Sequence, residues 1–165
     1  MSTEQHRKTA PATVRCFVLT ISDTRTEAND TSGDWIASLL AGAGHIVERR
    51  ALVPDDPAVV EKTIRENAPA VEVIITTGGT GITSRDSTFE AIDRLLEKRM
   101  DGFGELFRML SYEEIGSAAM LTRACAGTVG RAAIFSLPGS EHAVRLGMTK
   151  LILPEVGHVV RELNR

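Results

Sequence analysis

The chain has 165 residues, the size of one domain with little to spare. Its 42% hydrophobic and 25% charged residues exclude disorder as the main state, and no apolar run approaches the roughly 20 residues that span a bilayer. The net charge of −3 and the low aromatic content disfavour nucleic acid as a partner. Residues 1–13 are polar and lack the apolar core of a secretory signal. We therefore expect a flexible tail at 1–13, a single domain at 14–165 and a cytoplasmic protein.

Predicted strands and helices alternate through the first half of the chain. Residues 14–21 form an almost unbroken apolar run, which is typical of a strand covered on both faces. Residues 35–43 carry the apolar stripe of an amphipathic helix, and residues 46–53 are the second predicted strand. Asp56 and Pro57 are the N-cap and the first residue of the next predicted helix.

The middle of the chain continues the same alternation. Residues 71–77 are a third apolar strand, and Ser87 with Glu90 fits a capping box at the start of a helix. The inward stripe of that helix is predicted to contain Phe89, Ile92, Leu96 and Met100. The spacing of apolar residues over 103–110 indicates another helix.

Two short strands and two helices are predicted in the last third of the chain. The strands span 124–130 and 131–137, Ser140 caps a helix that ends at Pro154, and 156–163 form the last helix. Alternating strands and helices predict a three-layer α/β/α sandwich with a mostly parallel, mixed central sheet. Such sheets bind ligands beyond the carboxyl ends of their strands.

The glycine-rich segment 76–86 lies between a predicted strand and a predicted helix, where backbone N–H groups cradle phosphate. Its glycines let the backbone approach a ligand without an intervening Cβ. The segment lacks the Gly-Lys-Ser/Thr of a P-loop, and Ser84 stands where the dinucleotide fingerprint has its third glycine. An ordinary turn between strand and helix is the alternative interpretation.

Asp55 and Asp86 follow two of the predicted strands. Asp56 serves as the helix cap, which leaves Asp55 without a visible structural role. Ser87 and Thr88 can each cap the next helix, which leaves the Asp86 carboxylate free. Two spare carboxylates at one sheet edge are candidate ligands of a shared magnesium ion, although Asp at such positions is also common as a cap.

Other strand ends carry polar residues and glycines that are also consistent with turns and caps. Three helix N-termini are predicted at the same sheet edge, each with about half a positive charge, an arrangement that suits a polyanion. The cysteines form no metal motif, and Cys16 is predicted to be buried. The histidines show no metal-ligand spacing and are predicted at surface or hydrogen-bonded positions: His6, His45, His142 and His158.

The glycine segment, extended to residue 91, resembles the MoaB/MogA family of molybdopterin-binding proteins of molybdenum cofactor biosynthesis. The resemblance covers about 14–163 and is supported by segments 32–34, 52–55, 115–119 and 134–140. Residues 151–158 resemble the MoaB branch in particular.

The resemblance implies the molybdopterin-binding fold and adenylylation, in which the terminal phosphate of molybdopterin attacks the α-phosphate of Mg-ATP and pyrophosphate is released. Asp55 and Asp86 match the functional aspartates of the family, as catalytic residues and Mg²⁺ ligands. Thr122 replaces a serine that is frequent in the family, and Glu141 replaces a proline. The implied substrate-binding residues are Ser22, Asp23, Ser32, Gly33, Gly78, Gly79, Thr80, Gly81, Thr122, Pro138, Gly139 and Ser140.

The family also implies a homo-oligomer, a trimer or, in the MoaB branch, a hexamer. Apolar residues at 103–110 and 118–121 exceed what one small sheet needs to cover it. Two functions remain open: a molybdopterin adenylyltransferase, and a non-catalytic molybdopterin-binding protein. An unrelated domain that binds a nucleotide or a sugar phosphate is the third alternative.

Overall fold

The computed structural model describes residues 2–165 and contains one six-stranded sheet. The strands are β1 (Arg15–Ile21), β2 (Ile46–Val53), β3 (Val73–Thr77), β4 (Lys98–Arg99), β5 (Cys125–Val129) and β6 (Ala132–Leu137). The helices are α1 (Thr3–Lys8), α2 (Thr31–Gly42), α3 (Pro57–Asn67), α4 (Thr88–Leu95), α5 (Asp101–Ile115), α6 (Glu141–Gly147) and α7 (Leu153–Leu163). A 3₁₀ turn, Gly116–Leu121, follows α5.

The strand order is β2-β1-β3-β6-β5-β4. β1, β2, β3 and β6 are parallel, whereas β5 and β4 run antiparallel to their neighbours. The register pairs Thr20 with Thr77 and Thr77 with Leu137, so the three central strands end side by side. The loops that leave β1, β3 and β6 therefore start at one place.

Helices cover both faces of this sheet, which confirms the predicted three-layer architecture. One core cluster joins the sheet to α2, α5, α6 and α7 and contains the fully buried side chains of Ile36, Phe107 and Met148. The other joins the opposite face to α3 and α4, with Ile64 and Ile92 fully buried. The apolar runs of β1, β3 and β6 are buried on both faces because helices lie over each of them.

Two predicted helix caps are confirmed. The Asp56 carboxylate accepts hydrogen bonds from the N–H groups of Ala58 (2.9 Å) and Val59 (3.3 Å), and Pro57 is the first residue of α3. Ser140 Oγ accepts from the N–H of Ala143 at 3.2 Å and caps α6. Asp30 caps α2 by accepting from the N–H of Gly33. These caps fix the starts of helices at the edge where the parallel strands end.

The prediction of one helix through Met100 was wrong. α4 ends at Leu95, and the next residues form β4 at the sheet edge. There the N–H of Glu97 donates to the carbonyl of Thr128 and the N–H of Met100 donates to that of Ala126, both at 2.9 Å. The chain leaves the helix because the edge of β5 offers partners for its backbone groups.

Pro154 does not end a helix, contrary to the prediction. α6 continues through a π-helical turn, Met148–Ile152, directly into α7. Pro154 is the second residue of α7 and follows the π turn almost directly. The wider π turn lets the chain continue as a helix through this proline.

The segment predicted as a flexible tail, 1–13, includes the short helix α1, which packs against α7. Arg7 pairs with Glu155 and His6 with Glu162. Within residues 2–165, no helix has the length and apolar content needed to span a membrane.

Candidate functional site

A cleft of about 610 Å³ opens where β1, β3 and β6 end. Its walls come from the loops after β1, β2, β3 and β6 and from the turn after α5. This is the expected position for a ligand site in an open parallel sheet. The predicted residues that line it are Ser22, Asp23, Ser32, Asp55, Gly78, Gly79, Thr80, Gly81, Asp86, Thr122, Pro138, Gly139 and Ser140.

Gly33 is the one predicted site residue that does not line the cleft. Its N–H donates to the Asp30 carboxylate at 3.0 Å, and a Cβ on Gly33 would collide with that carboxylate and lie 2.7 Å from Thr20 Oγ1. The glycine is required by the close packing of the buried Asp30 against the start of α2. The structure gives Gly33 this packing role, and the ligand contact predicted there stays a prediction.

The glycine loop, Gly78–Gly81, is held between three strands and α4. Gly78 and Gly79 have φ values of +100° and +67°, which residues other than glycine rarely adopt. A Cβ on Gly78 would collide with the carbonyl of Ile21, and a Cβ on Gly79 with Thr88 Oγ1. The N–H of Gly78 donates to the carbonyl of Leu137 at 3.0 Å. Both glycines are therefore needed for the loop to pack in this position.

Arg123 binds the outer side of the same loop. Its Nε donates to the carbonyl of Thr80 at 3.0 Å and its Nη2 to the carbonyl of Gly81. Its Nη1 pairs with Glu90, so the predicted capping box between Ser87 and Glu90 does not form. The pair holds the pKa of Glu90 below its usual range. One guanidinium thus fixes two consecutive loop carbonyls.

The backbone N–H groups of Gly79 and Thr80 are donors without a protein acceptor among residues 2–165. Both residues line the cleft, and Thr80 is buried. A backbone N–H group without a protein acceptor needs another partner, which at the wall of a cleft is water or a ligand. The loop can therefore donate two hydrogen bonds to an anion at the wall of the cleft.

Asp55 has a structural role, contrary to the prediction. Its Oδ1 accepts hydrogen bonds from Ser87 Oγ (2.7 Å), Ser87 N–H (3.3 Å) and Thr88 Oγ1 (3.3 Å). The side chain of Ser87 therefore bonds to Asp55 and does not cap its own helix. Asp55 Oδ2 accepts no hydrogen bond within residues 2–165 and lies beside Gly79. One oxygen anchors the start of α4 while the other remains available to a ligand.

Asp86 is also engaged, so the prediction of a free carboxylate was wrong. Its Oδ2 accepts from Thr83 Oγ1 at 2.5 Å and from Thr83 N–H at 3.0 Å. The Asp86 N–H donates back to the carbonyl of Thr83 at 3.1 Å, which closes a turn. The hydroxyl of Thr83 holds the pKa of Asp86 below its usual range, so the group is ionised at neutral pH. Asp86 thus shapes the loop that it lines.

The opposite wall is organised by Arg25. Its Nη1 donates to the hydroxyls of Thr31 and Ser32, both at 3.3 Å, and its Nη2 donates to the carbonyl of Gly139 at 3.2 Å. Ser32 Oγ donates to the same carbonyl at 2.8 Å. Ser22 Oγ accepts from the N–H of Arg25 at 3.0 Å. These contacts join the loop after β1 to the loop after β6.

Several cleft residues were not predicted from the sequence. Arg25 and Arg85 bring cationic side chains to the cleft, and Arg25 could have been found because it directly follows the polar end of the first strand. Leu121 brings an exposed apolar side chain from the turn after α5, which no local pattern links to the sheet edge. The remaining unpredicted residues are Thr20, Ile21, Thr24 and Thr77.

Glu141 begins α6 close to the cleft, but its carboxylate is held elsewhere. It accepts from Trp35 Nε1 at 2.6 Å and from Arg145 Nη2 at 3.3 Å. The Arg145 guanidinium lies over the Trp35 ring at 3.6 Å from its centroid. The acid at this position is thus neutralised by Arg145, and it does not line the cleft.

The chain is similar over nearly its whole length to known proteins, in sequence and in structure. The family described as "Probable molybdopterin binding domain" matches residues 17–158. Molybdenum cofactor biosynthesis protein B of Bacillus cereus is 54% identical over 168 aligned residues, which cover 100% of this chain and 99% of that protein. A crystal structure of a molybdenum cofactor biosynthesis protein B is 54% identical, has a TM-score of 0.90 and covers 94% of this chain and 99% of its own.

The crystal structure of the tungsten cofactor synthesizing protein MoaB from Pyrococcus furiosus is 41% identical, with a TM-score of 0.85. The match covers 94% of this chain and 100% of that one. These similarities extend over both walls of the cleft and confirm the resemblance found in the sequence. The chain belongs to the molybdopterin-binding family of molybdenum cofactor biosynthesis proteins.

Proposed function

We propose that this protein acts in molybdenum cofactor biosynthesis by transferring the adenylyl group of Mg-ATP to the terminal phosphate of molybdopterin, with release of pyrophosphate. The observation that carries the proposal is the pair of unpaired N–H donors at Gly79 and Thr80 in the same cleft as Asp55 and Asp86. Backbone donors bind phosphate oxygens, and carboxylates hold the divalent ion that accompanies a triphosphate.

The reaction needs no general base from the protein. A phosphate monoester has its second pKa near 6, so the terminal phosphate of the pterin is largely dianionic at pH 7. It attacks the α-phosphate, the bond to the pyrophosphate breaks, and pyrophosphate leaves. The task of the chain is to bring two anions together in line and to hold them.

Repulsion between the two anions opposes that approach. Two unit charges about 4 Å apart repel by roughly 1 kcal/mol in water and by about 4 kcal/mol at an effective dielectric of 20. The N–H groups of Gly79 and Thr80 and the guanidinium of Arg85 line the cleft and offset part of this energy. Arg25 adds positive charge on the opposite wall. Each of these groups favours the anions when they are close together.

The residues present fit a magnesium ion. Asp55 Oδ2 accepts no hydrogen bond within residues 2–165, and carboxylate oxygen is the ligand that Mg²⁺ prefers. Asp55 would hold the ion, and Asp86 would hold it or position the substrate. When bound, Mg²⁺ neutralises phosphate charge and stabilises the leaving pyrophosphate. Ser87 and Thr88 fix the Asp55 side chain, so the free oxygen is held in one orientation.

The test is an assay of pyrophosphate release from Mg-ATP with purified protein and molybdopterin. We expect turnover that requires both substrates and Mg²⁺. The absence of pyrophosphate release under conditions where molybdopterin is bound would contradict the proposed activity. Omission of molybdopterin is the control, because hydrolysis of ATP to AMP and pyrophosphate would persist without it.

A non-catalytic molybdopterin-binding protein is the second candidate. The observation that favours it is the structural use of both aspartates, since Thr83 bonds to Asp86 and Ser87 to Asp55. Because both carboxylates anchor loops, a structural role is enough to explain why the two aspartates are present. Saturable pterin binding with no pyrophosphate release would support this candidate over the first.

We also propose that the protein is a homo-oligomer, a trimer or a hexamer. Large hydrophobic side chains are exposed on α5 and on the turn that follows it: Leu106, Met109, Tyr112, Ile115, Met120 and Leu121. Several exposed hydrophobic side chains on one helix and the turn that follows it are typical of an interface. Leu121 also lines the cleft, so a second copy on this face would lie close to the substrate. A monomeric mass by light scattering at micromolar concentration would contradict the proposal.

A further inference from the structure

His6, His158 and Glu162 meet where α1 packs against α7, on elements that do not line the cleft. One ligand atom of each residue lies within 4.8 Å of the ligand atoms of the other two. We propose that these three side chains form a binding site for a divalent transition metal such as Zn²⁺, which fastens the N-terminal helix to the C-terminal helix. The proposal is independent of the function of the cleft.

The distances suit a tetrahedral metal. His6 Nδ1 lies 3.0 Å and His158 Nε2 lies 3.9 Å from Glu162 Oε1. Two ligands of a tetrahedral Zn²⁺, each about 2.0–2.1 Å from the ion, are separated by about 3.4 Å. The two observed separations lie on either side of that value, so side-chain rotations are sufficient to enclose the ion. Two imidazoles and one carboxylate form a ligand set that Zn²⁺ uses, with water in the fourth position.

The outer contacts of His158 also favour a metal site. His158 Nδ1 lies 2.9 Å from Glu155 Oε2, and a proton on Nδ1 leaves the lone pair of Nε2, 3.9 Å from Glu162 Oε1, available to a metal. A carboxylate that holds the far nitrogen of a metal-binding histidine is a recurring feature of metal sites. Glu155 is in turn paired with Arg7 of α1. The ring orientation is thus set by contacts outside the three ligands.

Cations that face Glu162 set the expected strength of the site. Arg161 Nη1 donates to Glu162 Oε1 at 2.6 Å, and Arg165 Nη1 donates to Oε2 at 3.0 Å. A metal ion would take the place of Arg161 at Oε1, while Arg165 keeps its contact at Oε2. Because Arg7, Arg161 and Arg165 surround two carboxylates, we expect a dissociation constant in the micromolar range, weaker than that of buried structural zinc.

The consequence of binding concerns α1. This helix has six residues, none of them fully buried, and polar contacts hold it on α7. Besides the pairs of His6 and Arg7, the rings of His6 and His158 meet edge to face at 5.6 Å between centroids. A bound ion would add ligand bonds from both helices, and residues 2–8 would become harder to detach.

The experiment is a calorimetric titration of Zn²⁺ into the untagged, full-length protein after treatment with a chelator. We expect saturation near one Zn²⁺ per chain, and visible absorption typical of a tetrahedral site when Co²⁺ is used instead. His6→Gln and His158→Gln each lower the Zn²⁺ affinity at least tenfold, and Glu155→Gln lowers it by about 10–100-fold. His142→Gln is the matched control, because His142 also pairs with a glutamate, Glu114, but has no third ligand among residues 2–165.

A second readout follows the helix itself. Zn²⁺ slows tryptic cleavage after Arg7 and Lys8 in the wild-type protein and has no effect on this cleavage in His158→Gln. Melting curves without metal verify that each variant is folded. The proposal is overturned if Zn²⁺ shows no saturable binding below about 100 µM, a free energy of about −5.5 kcal/mol. It is equally overturned if His6→Gln and His158→Gln bind Zn²⁺ as tightly as His142→Gln does.

Discussion

The two walls of the cleft offer a ligand different chemistry. On the glycine-loop wall, the donors are backbone N–H groups, and side chains such as Arg123 hold the loop from outside the cleft. On the opposite wall, Arg25 and Ser32 donate hydrogen bonds to the carbonyl of Gly139. Side chains that line the cleft therefore also connect the β1–α2 segment to the loop after β6. The first wall depends on backbone position, and the second depends on side-chain hydrogen bonds.

This difference decides how each wall responds to substitution. Backbone donors cannot be deleted by mutation, but they can be displaced when a Cβ has no space. The side-chain contacts of the second wall can be removed one at a time. We therefore expect the largest effects from the glycine loop and from the aspartate that anchors the helix behind it, and smaller ones from the residues that support the loop.

Gly79→Ala is expected to have the largest effect. The Cβ would collide with Thr88 Oγ1 and come within 2.8 Å of Asp55 Oδ2, at a φ of +67°. The strain costs about 1–3 kcal/mol, and the displaced N–H groups should weaken adenylyl transfer by roughly 100-fold. The melting temperature measures the strain, molybdopterin affinity measures the loss of binding, and pyrophosphate release measures the loss of adenylyl transfer.

Two other glycines provide matched controls for Gly79→Ala. Gly130 also has a positive φ, +59°, but a Cβ there meets nothing within 4 Å, so Gly130→Ala isolates the backbone strain. Gly42 has ample space and an ordinary φ, so Gly42→Ala should be neutral or stabilising by up to about 1 kcal/mol. If Gly79→Ala binds molybdopterin as well as Gly130→Ala does, the glycine loop is not part of the binding site.

Asp55→Asn separates the structural role of Asp55 from its proposed metal role. Asparagine keeps an oxygen that accepts from Ser87 and Thr88 but replaces the free Oδ2 with an amide. We expect adenylyl transfer to slow by roughly 100-fold or more, while molybdopterin affinity changes by less than about tenfold and the melting temperature changes little. Turnover is measured across a magnesium titration.

Asp55→Ala and Asp56→Asn complete this comparison. Alanine also removes the acceptor for Ser87 and Thr88, so Asp55→Ala should lower stability by about 1–3 kcal/mol. Asp56→Asn should be neutral, since asparagine caps helices as well as aspartate. Near-normal turnover of Asp55→Asn at every magnesium concentration would rule out the metal-ligand role and leave Asp55 as a purely structural residue.

The three central parallel strands, β1, β3 and β6, could be predicted from the sequence because they are nearly continuous apolar runs. The edge strand β4 has two exposed residues, and its position depends on the distant backbone of β5, so no local pattern reveals it. The error at Pro154 has a different and local cause. Proline usually ends a helix, but a π turn just before it changes the local requirement.

The candidate site was predictable in position but not in its internal bonds. Strand ends, glycines and the family resemblance identified most residues of the cleft, since parallel strands place their following loops together, but Arg25, Arg85 and Leu121 were missed. That Ser87 bonds to Asp55 could not be predicted, because local capping rules consider only neighbours in sequence. Gly33 was assigned to the site by resemblance, whereas its environment is the buried carboxylate of Asp30.

Arg123→Ala is expected to have an intermediate effect. It removes the donors to the carbonyls of Thr80 and Gly81 and leaves Glu90 unpaired. Hydrogen bonds from a charged group contribute about 1.5–3 kcal/mol, and we expect molybdopterin affinity to fall roughly tenfold as the loop loosens. Arg94→Ala is the control, because Arg94 forms an exposed pair with Glu61 outside the cleft. Equal affinities of the two variants would show that Arg123 does not support the loop.

The smallest effect concerns the turn closed by Thr83 and Asp86, and it depends on pH. The hydroxyl of Thr83 lowers the pKa of Asp86, so this contact stabilises the fold above the unfolded-state pKa of about 3.9 and is lost as pH falls through the lower folded pKa. Thr83→Val removes the hydroxyl and keeps the N–H donor. We expect it to reduce the free energy of unfolding at pH 7 by under about 1 kcal/mol, because the turn is largely exposed to solvent. Denaturant midpoints at pH 7 and at about pH 3 should show the deficit shrinking in acid. A deficit of the same size at both values would mean that the hydroxyl acts through packing and not through the charge of Asp86.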